Sequence, residues 1–173
     1  MANNLTDYKI IIVDSSNVFY NNGIANFDFH INLSDTLKDV YKIKILYDAV
    51  SFQREILQFN TKNLDTIYIN LNDYDRVRTS LIVDNNIKYL NYFDTIMIDK
   101  NKVKLNDGFP DITMFNDFNE NEGDFYLNPI ASQFKRIDIQ LRDKNNEIIT
   151  KTLIDRFVMK ICIYYYTKKI SQF

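Results

Sequence analysis

The chain has 173 residues, 46% of them hydrophobic and 14% aromatic, with 21 Lys and Arg against 23 Asp and Glu for a formal net charge of -2. That composition excludes wholesale disorder and suits one domain with a sizeable core. The near-neutral balance leaves no basic block to neutralise phosphates, and no apolar run approaches the roughly 20 residues that span a bilayer, so neither nucleic-acid binding nor direct membrane insertion is expected.

Residues 1–6 are polar with no apolar core after them, so no secretory leader is expected, and residues 1–7 read as an N-terminal arm. An apolar run at 8–13 ends in the turn cluster Asp14-Ser15-Ser16-Asn17. A polar loop at 21–26 leads to a strand at 27–33, with Phe27, Phe29, Ile31 and Leu33 on one face. Residues 41–49 alternate again, aligning Ile43, Ile45, Tyr47 and Ala49. The pattern at 52–59 fits a short helix or a strand. Residues 66–71 alternate, with Ile67, Ile69 and Leu71 together; 87–99 is one bent strand or two; 111–115 is short. Strands at 125–127, 135–142, 147–150 and 156–167 complete the series, and Ile137-Asp138-Ile139-Gln140-Leu141 is its clearest alternation.

Eight to ten short strands indicate an all-β sandwich. The segments 79–86 and 101–123 read as long connections that cross between sheets. Eight strands with long crossovers specify a single jelly roll over residues 1–173, with two facing antiparallel four-stranded sheets. With 3 Gly and 2 Pro, the turns fall to Asn and Asp, as at the Asn-Asn steps beginning at Asn21, Asn85 and Asn145.

Little in the sequence points to catalysis. His30 is the one histidine, on the polar side of its strand, too few for a multi-imidazole metal site or an easily assembled triad. Cys162 sits in an apolar run and reads as a small buried hydrophobe, with no partner for an internal disulfide. Asp117-Phe118-Asn119-Glu120-Asn121 begins like a calcium loop, but Glu122 stands where the sharp turn needs glycine and Asn128 where the bidentate glutamate belongs. A strand ending at Asp14 is also how PIN-type metal nucleases begin; the amphipathic helices of that fold are missing, and a turn in which Asp14 caps backbone amides is the better reading. The acid pairs Asp73/Asp75 and Glu120/Glu122 lie in or beside turns, as solvated carboxylates. No cofactor is implied. Tyr164-Tyr165-Tyr166 covers both faces of the last strand, one face for the core and the other for a subunit contact.

Several of these pieces, in this order, resemble a known family. Asp14-Ser15-Ser16-Asn17, then a polar loop and Phe27-Asp28-Phe29-His30-Ile31-Asn32-Leu33, is similar to the opening of the single-jelly-roll penton and minor capsid proteins of large eukaryotic (nucleocytoplasmic) DNA viruses. Leu37-Lys38-Asp39-Val40-Tyr41-Lys42-Ile43-Lys44-Ile45 resembles the next strand. Tyr68-Ile69-Asn70-Leu71-Asn72-Asp73-Tyr74-Asp75-Arg76-Val77 resembles a strand closed by an acidic-aromatic turn, and 93–98 the strand after it. The most specific stretch is Phe125-Tyr126-Leu127-Asn128-Pro129 followed by Phe134-Lys135-Arg136-Ile137-Asp138-Ile139-Gln140-Leu141-Arg142-Asp143, and 156–163 resembles the last strand. Two positions depart from the pattern: Asn146 replaces a turn glycine, and Ile130 a second proline.

The resemblance covers about residues 8–165 and implies a non-enzymatic structural role: a vertex (penton) protein forming a homopentamer at icosahedral five-fold corners, in a virion assembled in the host cytoplasm. Implied partners are further copies of itself, the major capsid protein and other minor capsid proteins. A minor capsid protein at a non-vertex position and a carbohydrate-binding jelly roll are the alternatives. Candidate contact residues are Tyr164, Tyr165, Tyr166, Asn85, Asn86, Lys102, Lys104, Asp117 and Phe118, together with the arm and the two long connections.

Overall fold

The computed structural model describes residues 5–23, 26–52, 66–72, 74, 77–83, 86–98, 105–106, 109–110, 112–115 and 124–167. Twelve strands form there: β1 (Leu5–Asp14), β2 (Phe19–Tyr20), β3 (Asp28–Phe52), β4 (Thr66–Leu71), β5 (Val77–Val83), β6 (Asn86–Tyr92), β7 (Asp94–Met97), β8 (Leu105–Asn106), β9 (Phe109–Pro110), β10 (Ile112–Phe115), β11 (Asp124–Arg142) and β12 (Ile154–Thr167). A three-residue 3-10 turn, Ser15–Asn17, follows β1.

Pairing register resolves these strands into two antiparallel four-stranded layers. In the first, β1 pairs with β12, β12 with residues 40–52 of β3, and that part of β3 with β10 on its other edge. In the second, residues 28–38 of β3 pair with residues 133–140 of β11, β11 with β4, and β4 with β7. This is a jelly-roll order. Because β3 and β11 run through both layers, the hydrogen bonds join all of it into one curled eight-stranded sheet.

That continuity corrects the sequence reading, which divided β3 into strands at 27–33 and 41–49 and β11 into strands at 125–127 and 135–142. Asp39 adopts a left-handed φ of 54° where β3 passes between layers, a conformation that Asp tolerates better than most residues. The ladder of β11 shifts register between Tyr126 and Ala131, around the cis Asn128–Pro129 bond, and then resumes. Other expectations change as well. Residues 79–86 are not a crossover: β5 and β6 pair along their length, from Val77↔Tyr92 to Val83↔Asn86. Of the two readings left open for 87–99, two strands is the one found, β6 and β7, over its described residues. Residues 147–150 form only isolated bridges, at Ile148 and Thr150. Leu5–Asp7, expected in the arm, open β1 and pair with Thr167, Tyr166 and Tyr165. The pattern at 52–59, beyond Phe52, lies outside the described residues.

The core lies between the layers. From the first come Val13, Ile43, Ile45, Val50, Phe157, Met159, Ile161 and Ile163; from the second, Phe29, Ile67, Ile69, Leu71, Ile96, Ile137, Ile139 and Leu141. Phe29 and Phe157 meet across the gap with ring centroids 6.4 Å apart. Each such side chain contributes roughly 1.5–3 kcal/mol on burial. The turns use the residues expected of them: Asn72 and Asn146 take φ of 48° and 66°, and Asp143 accepts from the backbone amides of Asn145 and Glu147.

Candidate assembly surface

Alternation along β1 sends Ile11 and Val13 inward and Tyr8, Ile10 and Ile12 outward. The outward three are 57%, 46% and 61% exposed. They begin rows that cross the outer face of the first layer. One row runs Tyr8, Tyr164, Lys42, Tyr126; the next Ile10, Cys162, Lys44, Asp124; the third Ile12, Lys160, Tyr47. The far edge of β1 pairs with no other described strand.

Polar groups on this face fix the aromatic ones. The Lys42 ammonium lies 3.8 Å from the Tyr164 ring centroid and 5.7 Å from that of Tyr126, and it pairs with Asp124 at 3.1 Å. Lys44 approaches the same carboxylate at 3.9 Å. Tyr41 stacks on Tyr166 at 4.5 Å, and Tyr8 tilts against Tyr164 at 5.9 Å. The Tyr164 hydroxyl, through its hydrogen bond with Cys162 and then through burial, is pushed up to about 12, so it stays protonated across the physiological range. The result is a fixed tyrosine-lysine surface bordered by bare isoleucine, a composition favoured where proteins meet.

The candidate residues divide. Tyr164 and Tyr166 stand on this outer face, while Tyr165 packs against the core and donates from its hydroxyl to Asp7 at 3.4 Å. Asn86 is the first residue of β6. Asn85, Lys102, Lys104, Asp117 and Phe118 lie outside the described residues, as do both acid pairs and the calcium-like loop. Sequence reasoning missed Tyr8, Ile10 and Ile12. Their signal was the unbroken Ile10-Ile11-Ile12, since three consecutive large aliphatics on a strand place apolar surface on both faces.

The remaining chemical candidates have structural partners. Asp14 accepts from the Ser16 amide at 3.0 Å and from Arg156, whose guanidinium holds the carboxyl below its usual range. Ser15 is buried, and its hydroxyl accepts from the Phe157 amide at 2.9 Å, tying the turn to β12. His30 contacts Asn21 at 2.7 Å and stacks on Phe19. Cys162 is buried and free. Among the described residues, no three His, Cys, Asp or Glu side chains converge to hold a metal ion.

No protein-family model and no curated protein matches the chain. Among solved structures, it is similar to the crystal structure of a selenomethionine-labelled mavirus penton protein, with a TM-score of 0.46 and 9% sequence identity over 93% of this chain and 100% of that one.

Proposed function

We propose that this chain is a structural capsid protein, and that it acts as the vertex (penton) subunit, closing icosahedral five-fold corners of a virion as a homopentamer. The observation that carries the reading is the outer face of the first layer, where Tyr8, Ile10 and Ile12 stand exposed on a strand edge that pairs with no other described strand, beside an ordered tyrosine-lysine surface. A contiguous apolar edge of this kind is uncommon on a monomer, and covering it gains roughly 25 cal/mol per Å². The fold and the order of motifs resembling capsid proteins agree with it. Head-to-tail contact between this face and a different surface of the next copy makes a ring when the rotation closes. Asn85, Asn86, Lys102, Lys104, Asp117 and Phe118 are proposed as rim contacts to neighbouring copies and to the major capsid protein.

Light scattering across a concentration series tests this. The expected mass is five times the 20.6 kDa chain mass. The double variant Ile10→Asp, Ile12→Asp is expected to fall to the single-chain mass while keeping the wild-type strand signal in circular dichroism, because both side chains face water in the single chain. A single-chain mass for the wild type at every concentration overturns self-assembly. A variant that assembles like the wild type moves the contact to another face.

A further inference from the structure

We infer that Asp48 and Asp94 form a proton-operated latch between the two layers: a proton on Asp48 keeps one rim of the sandwich closed, and its loss parts the short strands β7 and β10 there without unfolding the rest. Asp48 enters from the first layer. Beyond the register shift at Lys160 and Ile161, its ladder partners are Met159 of β12 on one side and Phe115 of β10 on the other. The side chain is buried, and neither carboxylate oxygen has a hydrogen-bond partner among the described residues. Asp94 enters from the second layer. It is the partner of Ile69 and lies two residues before Ile96 on β7, both of them core side chains, so it turns the same way. One of its oxygens accepts from the Thr95 amide at 2.8 Å.

Among the described residues no cation reaches Asp48. Burial, and then the Asp94 carboxylate, hold the proton on it. Met159 brings only a thioether. Lys160 and Tyr47 stand next to Met159 and Asp48 along their strands and turn to the outer face, where the Lys160 ammonium lies 5.8 Å from the Tyr47 ring centroid. Tyr92 precedes Asp94 by two residues; burial, and then that carboxylate, raise its hydroxyl above the usual value, so it stays neutral. An ionised Asp48 would face a second negative charge in an apolar interior, a state that only water relieves.

Topology sets the route by which water enters. β7 and β10 have four residues each, and among the described strands β7 pairs only with β4 and β10 only with β3. β12, β3, β11 and β4 are paired along both edges. Short edge strands open at lower cost than central ladders. Parting β7 and β10 hydrates both acids and leaves the centre intact. Each rise of one pH unit then favours the open rim by about tenfold, from about pH 4, where Asp48 is protonated open or closed, to about pH 8, above which it is ionised in both.

Amide hydrogen exchange by NMR on the full chain tests this, with every rate divided by the chemical exchange rate at the same pH. In the wild type, protection of the β7 and β10 amides is expected to fall about tenfold per pH unit between about pH 5 and about pH 8, while the amides of the β11–β4 ladder stay at least about tenfold better protected at each pH. Asp48→Asn is expected to flatten the profile of both short strands. Asp48→Val, also uncharged, is expected to do the same and serves where the amide variant does not fold. Asp94→Asn is expected to keep the fall but end it at a lower pH, because it removes the repulsion. A wild-type profile that does not change with pH overturns the latch, and a slope that survives both Asp48 variants overturns its assignment to Asp48. Equal protection of β7, β10 and the β11–β4 ladder at every pH overturns the local opening, since the proton then leaves only on unfolding. An Asp94→Asn profile identical to the wild type overturns the pairing of the two acids. None of these outcomes depends on the oligomeric state.

Discussion

Ile139→Asp is expected to unfold the protein or to lower its stability by several kcal/mol. Ile139 has no exposed surface, and it sits mid-strand in β11 between Phe29 of β3 and Leu71 of β4, which are equally enclosed. A carboxylate there loses its hydration and meets only apolar side chains, so it either stays charged at great cost or takes up a proton. The lost aliphatic packing adds to that penalty. Leaving one unpaired charge in a core costs about 3–5 kcal/mol, a large part of the 5–15 kcal/mol that holds an ordinary domain together. The neighbouring Asp138→Asn is expected to cost about 1 kcal/mol or less, because Asp138 faces outward and its pair with Arg136 is well exposed to solvent. Thermal melting of both variants checks the pair. An Ile139→Asp protein that melts like the wild type would turn the inward face of β11 around.

That contrast comes straight from the alternation at 137–141, and it shows which part of the fold was legible. Period-two patterns report faces, so the buried sets of β4 and β11 could be read from the chain alone. What periodicity does not report is whether a hydrogen-bond ladder continues through a bend. Asp39 and Pro129 are turn-type residues, and both interrupt the pattern, yet β3 and β11 run on past them. The β5–β6 hairpin was missed for a related reason. In sequence the two strands are separated only by Asp84-Asn85, a tight-turn pair, but the residues before it alternate too weakly to identify a strand. The assembly surface was legible in part, through the tyrosine run of β12, whereas its apolar edge depends on β1 being the outermost of the described strands. The outward row of the second layer was not legible at all, because only the register brings Asp28, Gln140 and Asn70 side by side.

Asp48 was invisible for the most specific reason. Alternation from Ile43 and Ile45 predicts that Tyr47 and Ala49 face inward. The structure inserts one extra residue, Leu46, opposite the step from Lys160 to Ile161, and a bulge of one residue reverses every face beyond it. Asp48 therefore turns into the sandwich opposite Met159, 1% exposed, and neither of its carboxylate oxygens has a hydrogen-bond partner among the described residues. Burial, and then repulsion from Asp94, push its pKa from 3.8 up to about 8.

The folded protein thus holds a proton that the unfolded chain releases, and the sign of the effect follows. Stability from this group is fully present below about pH 4, falls as the pH rises from there to about 8, and is level above. Each tenfold difference in proton affinity between the folded and unfolded chain is worth about 1.4 kcal/mol, so the loss amounts to several kcal/mol, comparable to the Ile139 effect. Asp48→Asn keeps the shape and removes the ionisation. It is expected to melt close to the wild type at about pH 4 and clearly above it at about pH 8, with the gap widening between them and then holding constant. Calorimetry of both proteins across that range checks it. Parallel melting curves from acid to alkali would mean that Asp48 titrates as an ordinary carboxylate and that the reversal of faces at Leu46 does not bury it.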